Sequence, residues 1–393
     1  MVEWKKLGEI MQIARGASPR PIKNFITSDE TGVNWIKIGD VSPNDKYITK
    51  TNEKITQEGA SKSRLLHSGD FVLSNSMSFG RPYILKIDGC IHDGWIFLSG
   101  YEGSLIAGYL FEVLNSDFVQ KYWRTKANNG GAMTNLNSDI VRATSIPVPS
   151  LEEQNRIVGI LDTFTDSIEN LKQQIAQRRK QYEHYRDQLL DLEGKDGVEK
   201  LSFGLDFQLK ARIGWQGLTK KEYRSSGSYK LVTGTDFTKS NRIDFDNCVY
   251  VDKERYDQDI NIQLKEGDVL ITKDGTLGKI AIIDKLETPS TLNGGVFVVR
   301  DLQKRIVPKY MMYYLTSHFF INWMKSNHTQ GSIQHLTQKL LEKFTIFIPP
   351  LSEQQRIVSI LDTFEASISN LEAQLAQRQK QYEYYRNQLL TFE

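Results

Sequence analysis

Four loops of this chain gather cationic, amide and hydroxyl side chains with few acids to neutralise them. In the first half, RGASPRPIKNF carries Arg15, Arg20 and Lys23, and SNSMSFGRP carries Asn75, Ser76, Ser78 and Arg81. In the second half, LKARIGWQGLTKKEYR carries Lys210, Arg212, Lys220, Lys221 and Arg224 against the single Glu222, with Trp215 and Gln216 among them. ITKDGTLGKIAI adds Lys273 and Lys279. These residue types suit a chemistry in which no bond is broken. Lys and Arg neutralise phosphates, and Arg, Asn and Gln match the donor and acceptor patterns on base edges. The loops therefore allow a nucleic-acid ligand. They do not establish it, because similar loops decorate many proteins that never meet nucleic acid.

Bond-breaking chemistry finds little support. DGTLGKI, from Asp274 to Ile280, has the wrong glycine spacing for a phosphate loop, and no Ser or Thr follows its lysine. A dinucleotide-binding glycine loop, a zinc-protease helix and a nucleophile elbow are missing from the sequence, as is the Asn-Pro-Pro-aromatic motif of an adenine methyltransferase. His92 stands beside Asp93, but one dipeptide is not a site. The chain is expected to be non-catalytic, with no catalytic residue and no metal ligand set. Cys90 and Cys248 lie too far apart to build a disulfide framework or a zinc cluster. They read as two buried thiols of a cytoplasmic protein. Nowhere do 18 apolar residues run together, so no membrane span is expected. A net charge of only +2 leaves any nucleic-acid contact to local patches.

These loops must be positioned by something, and the chain supplies it twice. LEEQNRIVGILDTFTDSIENLKQQIAQRRKQYEHYRDQLL, Leu151 to Leu190, returns as LSEQQRIVSILDTFEASISNLEAQLAQRQKQYEYYRNQLL, Leu351 to Leu390. Ile157, Leu161, Phe164, Ile168, Leu171, Ile175, Arg178, Tyr182, Tyr185 and Leu189 step alternately by four and three, the spacing of a coiled-coil seam. Ile357, Leu361, Phe364, Ile368, Leu371, Leu375, Arg378, Tyr382, Tyr385 and Leu389 keep every step. Ser150 followed by Glu153 predicts a capping box at the first helix start, and Gly194 predicts its end. Some 40 residues make a rod of roughly 60 Å.

Each rod follows a head. Residues 1–150 read as a mixed domain, with strands in VNWIKIGDV, GDFVLSN, RPYILKID and CIHDGWIFLSG and one helical segment over 105–126. Residues 199–350 repeat the layout in different sequence, with strands in YKLVTGTD, DVLITKDG, KIAIID and GGVFVVR and a helix over 309–325. The predicted domains are thus 1–150, a long helix over 151–193, 199–350, and a second long helix over 351–393. The fold class is α+β: two mixed heads separated by a long two-helix coiled coil, in an internal pseudo-two-fold repeat of about 200 residues. If the helices pair within one chain they are antiparallel, and the last residues return to the first head. Arg178 and Arg378 interrupt the seam at matched positions. Two readings stand: a device that sets register, or a long side chain whose charge escapes at the edge. Val158, Ile160, Val358 and Ile360 widen the apolar stripe near each helix start, for packing on the adjacent head or for a partner helix.

The whole pattern resembles the specificity subunits of type I restriction-modification systems. IPVPSLEEQNRIVGILD (146–162) and IFIPPLSEQQRIVSILD (346–362) carry the resemblance, each opening a long helix behind an unlike domain. WKKLGEI, ITQEGASKSRLLHSGDFVLSNS, ARIGWQGLTKKEY and GDVLITKDGTLGKIAIID extend it over essentially the full chain. The resemblance implies that each head is a target-recognition domain reading half of a bipartite DNA site, with the helices fixing the gap. It further implies two modification subunits, which methylate adenine using S-adenosylmethionine, and a complex that ATP-driven restriction subunits can join. None of those cofactors is expected on this chain. A coiled-coil scaffold with protein- or glycan-binding heads is the alternative, and a nuclease or methyltransferase with unrecognised motifs a third reading.

Overall fold

The computed structural model describes residues 2–43, 45–75, 79–127, 135–214, 217–274, 277–327 and 336–392. The chain divides into two compact units, Met1–Lys172 with Ala373–Glu393, and Gln173–Glu372. Each unit holds one head, the first half of the helix that leaves that head, and the second half of the other long helix.

The heads share one frame. In the first, a sheet runs in the order Gln12–Arg15, Trp95–Ser99, Phe71–Ser74, Pro82–Leu85, Tyr47–Ile48. In the second, the order is Gln208–Ala211, Val296–Arg300, Val269–Thr272, Ile280–Ile282. The central strands are apolar without a break because both of their faces are buried, and the two-residue period sorts side chains between two cores. Phe71, Leu73, Ile96 and Leu98 face a core shared with helices, while Val72, Tyr83, Leu85 and Trp95 face a second core. Val269, Ile271, Phe297 and Val299 are divided from Leu270, Ala281, Val296 and Val298 in the same way. Five short strands over 26–91 cover the far side of the first head, and three cover that of the second. A two-stranded ribbon ties each head's first strand to the one before its helix: Glu3–Lys6 with Ser145–Val148, and Glu199–Ser202 with Thr345–Ile348. Cys90 and Cys248 are both buried and free.

Two predicted single helices are each broken in two. The segment over 105–126 is Ala107–Leu114 followed by Asp117–Ala127, and that over 309–325 is Pro308–Thr316 followed by His318–Asn327. The breaks fall on buried serines that bond back to the preceding turn, Ser116 Oγ to the Val113 carbonyl at 2.5 Å and Ser317 Oγ to the Tyr314 carbonyl at 2.6 Å. A serine competes with the helix for its own carbonyls, and apolar periodicity does not register that.

The long helices are Leu151–Leu190 and Leu351–Leu389. Only half of the predicted capping box forms. Ser150 Oγ accepts the Glu153 amide at 3.3 Å, but the Glu153 carboxylate pairs with Arg156 instead. The first helix stops at Leu190, ahead of Gly194, because Leu190 and Leu192 turn into the core of the second head. Gly194 serves the turn beyond, at a φ of 74°.

Each helix is locked to its head by one buried amide. Gln154 is fully buried; its Oε1 accepts the Ile106 amide at 2.9 Å, and its Nε2 donates to the carbonyls of Ser104 at 2.9 Å and Pro149 at 3.0 Å. Gln354 repeats this with the Val307 amide at 2.8 Å and the Arg305 and Pro349 carbonyls, both at 2.9 Å. Beyond the lock, Ile157 and Leu161 enter the first head's core, and Ile357, Val358 and Leu361 the second's. Val158 packs on the adjacent head at Gly108, where an added Cβ would stand 2.9 Å from Cγ1 of Val158.

Within each unit the two helix halves run antiparallel. Phe164 lies 5.3 Å from the Tyr385 ring, with the Arg378 guanidinium 5.6 Å from its own. In the second unit, Phe364 lies 5.5 Å from Tyr185, with the Arg178 guanidinium at 5.9 Å. The pairings correspond under the 200-residue shift, so one register holds in both. Arg178 and Arg378 each sit over a phenyl ring of the facing helix. Ile157 and Leu161 are fully buried, whereas most seam positions between 164 and 182 are half-buried and Tyr185 and Tyr385 remain 45% and 44% exposed. Burying a Leu or Ile contributes about 1.5–3 kcal/mol. An exposed pair such as Arg179–Glu372 contributes about 0.2–1 kcal/mol. The head-proximal ends therefore hold the helices most firmly. No helix among the described residues is long and apolar enough to cross a membrane.

The amide lock yields a direct test. Gln154→Glu removes both donors from the Ser104 and Pro149 carbonyls and buries a carboxylate against them. It should cost about 3 kcal/mol or more. Urea unfolding reads this as a lowered midpoint, and a midpoint matching the parent's would mean the amide does not hold the junction.

Candidate nucleic-acid interface

In the first head the candidate loops meet around Asp93. The Arg15 Nε donates to its carbonyl at 2.6 Å, the Asn75 Nδ2 donates to the same carbonyl at 3.3 Å, and Ser18 Oγ and an Arg20 Nη reach its carboxylate at 3.1 and 3.4 Å. Partial burial pushes the Asp93 carboxyl up, but the Ser18 hydroxyl and the Arg15 and His92 charges outweigh it and hold it below the usual carboxylate range. Three predicted residues thus meet at Asp93, which the sequence pattern marks only as the neighbour of His92: Arg15 and Asn75 on its main-chain carbonyl, and Arg20 on its carboxylate. A signal existed: Asp93 is an acid set in a turn, and the loops nearest in composition carry unpaired cations. Which of them folds against it is a tertiary fact.

Asn75 also stands at a backbone junction. Its N–H donates to the Gly94 carbonyl at 3.1 Å, and its carbonyl accepts the Leu136 amide at 2.9 Å. It therefore ties the end of the Phe71–Ser74 strand to the turn before Trp95–Ser99 and to the chain leaving 128–134. Arg15, Asn75 and Arg142 line a crevice of about 390 Å³ there. Lys273 occupies the equivalent junction in the second head, its N–H donating to Gly295 at 2.9 Å and its carbonyl accepting from Leu336 at 3.1 Å. The adjoining turn is closed by His92 Nδ1 accepting the Gly94 amide at 2.6 Å in one head and by Asn293 Oδ1 accepting the Gly295 amide at 2.8 Å in the other. One frame thus holds an amide in the first head, bonded to the Asp93 carbonyl, and an ammonium in the second, over the Phe297 ring.

The hairpin tips are seated alike. Gly80 and Gly278 have φ of 70° and 73°, and a Cβ on either would stand 2.7 Å from the Trp123 ring or 2.3 Å from the Met324 methyl. Only glycine satisfies both the conformation and the close approach. Just past the tips, Arg81 donates to the Pro43 carbonyl at 2.5 Å, and Lys279 is exposed.

The remaining candidates divide sharply. Lys23 is exposed on a short helical turn, Ile22–Asn24, without being drawn to Asp93. Lys220 and Lys221 are exposed on the turn Lys220–Glu222. That turn is anchored by Glu222, whose carboxyl is pulled down to about 2 by the Thr219 amide and the Arg255 guanidinium. The Tyr223 hydroxyl links the same turn to Asn293 at 2.7 Å. Lys273 is half-buried, with its ammonium 5.2 Å from the Phe297 ring. Arg212 is only 2% exposed, and its guanidinium donates to the carbonyls of Leu292 at 2.9 Å and Arg255 at 3.1 Å and to Gln258 at 2.8 Å. The structure therefore places Arg212 as a strut inside the second head, not on its surface. A cation in a loop sequence gives no hint that several carbonyls converge on it. Ser76, Ser78, Trp215 and Gln216 lie outside the described residues. Among the described residues no cluster of three or more His, Cys, Asp or Glu could hold a metal ion.

Comparison with known proteins follows the same lines. The profile of the type I restriction modification DNA specificity domain matches residues 1–178 and 216–379. A candidate type I restriction enzyme specificity subunit of Haemophilus influenzae is 29% identical over all of this chain and 96% of its own length. The EcoR124I/EcoR124II specificity subunit of Escherichia coli is 29% identical over 63% of this chain and 61% of its own. Among solved structures, one describing complex assembly and conformational transition of the type I R-M system aligns over 99% of this chain and 97% of its own, with a TM-score of 0.70 at 19% identity. The HsdS subunit of Thermoanaerobacter tengcongensis aligns over 99% and 95%, with a TM-score of 0.53 at 20% identity.

The strut assignment is testable. Arg212→Leu should destabilise the second head by about 3 kcal/mol or more, since it strands buried carbonyls. Lys220→Ala with Lys221→Ala should stay within about 0.5 kcal/mol of the parent. Equal unfolding midpoints for the two variants would contradict it.

Proposed function

The chain belongs to the type I restriction-modification specificity family, and from that premise we propose that its two heads read two different half-sites of one bipartite DNA sequence. The observation that carries this is the shared frame with unlike loops, with Asn75 and Lys273 at equivalent junctions. An amide can match adenine's edge in both directions, whereas an ammonium only donates. Equivalent positions of different chemistry favour different bases, so the full site is asymmetric.

The long helices act as the spacer. Half-site centres lie about one turn of B-DNA apart, roughly 34–36 Å, so that both heads enter grooves on one face. Two modification subunits dock on the helices and heads, and restriction subunits join that assembly. The chain itself positions DNA and breaks no bond. S-adenosylmethionine and ATP are bound by the partner subunits, and the chain works in the cytoplasm beside the DNA it reads.

Methylome sequencing of a host with and without the gene tests the reading. It should yield a non-palindromic motif of two unlike halves, and a palindrome would overturn it. Inserting one heptad into both helices, after Leu171 and Leu371, should widen the gap while leaving both halves intact. Altered bases would mean that the helices themselves touch base edges.

A further inference from the structure

We propose that the first head carries a second DNA contact that is blind to sequence: a cationic crevice that grips the phosphodiester backbone beside the reading loops. This rests on the DNA-recognition reading above. The crevice, about 700 Å³, lies where the helix Asp117–Ala127, the chain after the first hairpin tip and the end of the second long helix come together. Arg81, Lys121, Arg124 and Arg386 line it, against two carboxylates, Asp117 and Glu383.

The four cations outnumber the two carboxylates in the lining. Asp117 is engaged by Asn387, which donates to its carboxylate at 2.7 Å and accepts its amide at 3.0 Å. Lys121 and Arg124 are exposed and have no ion-pair partner among the described residues. Arg386 is half-buried, and its Nε has no hydrogen-bond partner among the described residues. The repeat supplies the contrast. Arg186, the counterpart in the first long helix, is followed by Asp187 and pairs with it at 2.9 Å. In the second copy that acid is Asn387, and Arg386 lies over the Tyr382 ring at 5.3 Å, near the Glu112 carboxyl.

Among the described residues the second head carries a different lining at that place. Gly80 against Trp123 and Gly278 against Met324 align the two helices. Lys121 and Lys126 then correspond to Asn322 and Asn327, while Arg124 corresponds to Lys325. The smaller crevice at that place, about 320 Å³, is lined by Lys239 and Lys279 but also by Phe237, Ile280, Leu315 and Ile321.

The occupant follows from chemistry and place. Protein interfaces centre on apolar and aromatic anchors. Here Phe79 is the one wholly apolar side chain lining the crevice among the described residues. Several converging cations with few acids match a polyanion. Arg81, one of the candidate DNA-contacting residues, itself lines the crevice, so DNA held by that loop would lie beside it.

The test uses the full chain with its modification subunits, comparing the parent with the Lys121→Gln/Arg124→Gln variant. Both side chains are exposed, so the melting temperature serves as a control and should not move. Binding is titrated between about 50 and 200 mM salt on a duplex bearing the methylated motif and on an unrelated duplex. Affinity for both should fall in the same proportion, and the slope of log K against log salt should flatten by about 1.8, cutting the salt sensitivity over that range roughly tenfold. The methylated motif should stay the same. An unchanged slope, or a changed motif, overturns the crevice while leaving the recognition reading intact. Failure of the variant to assemble with modification subunits in the absence of DNA assigns the crevice to an acidic protein surface and overturns it too. A parent complex that binds neither duplex overturns the recognition reading, and the crevice with it.

Discussion

The constraint on which the rest depends is the buried amide at the start of each long helix. Gln154 and Gln354 each bring one acceptor and two donors to three backbone groups that no other element satisfies. An unpaired backbone group in such a place costs about 1–3 kcal/mol, so the geometry of the lock is narrow. A carboxylate has no donor to offer the two carbonyls, and an apolar side chain satisfies none of the three. The lock fixes where the helix leaves its head and sends Ile157 and Leu161, or Ile357 and Leu361, into the core beside it. This gives a physical reason for Glu-Gln recurring at both helix starts, although only the glutamine is buried.

From that fixed point the helices need little more to stay in register. The aromatic clusters, Phe164 with Tyr385 and Arg378, and Phe364 with Tyr185 and Arg178, use large flat groups to define an alignment that small apolar contacts would leave loose. They are partly exposed, and each is worth less than a buried leucine. The head-proximal residues are the more deeply buried and contribute more to stability. Arginine suits this position because its planar cation can lie over a ring while its stem packs and its edge meets water.

Much of this was legible in the sequence, and the boundary of what was legible has a physical cause. The 3.5-residue seam, the 200-residue period and the apolar runs FVLS and VLIT depend on local pattern, and the structure contains the helices and strands they predict. The breaks at Ser116 and Ser317, the burial of Arg212 and the gathering of Arg15, Arg20 and Asn75 by Asp93 depend on which groups meet in space. A loop arginine reads the same whether it will face water or a cage of carbonyls. The amide lock lies between the two cases. Its glutamine stood in plain view as part of a repeated motif, but its partners, Ser104 and Ile106 or Arg305 and Val307, are nearly fifty residues away.

The shared frame also explains how two heads can differ so widely and still fold alike. At Asn75 and Lys273 the junction is made by backbone: both residues hold their places through their own N–H and C=O. A junction built from main chain is indifferent to the side chain it displays, provided that the side chain allows the conformation. Asn75 and Lys273 show that freedom at one position, and His92 and Asn293 show it where a side chain does take part, since either can offer the acceptor that closes the turn. At Gly80 and Gly278 glycine is required because a Cβ would strike the helix beneath. Recognition chemistry can therefore change at the displayed positions without loosening the heads from the helices that carry them.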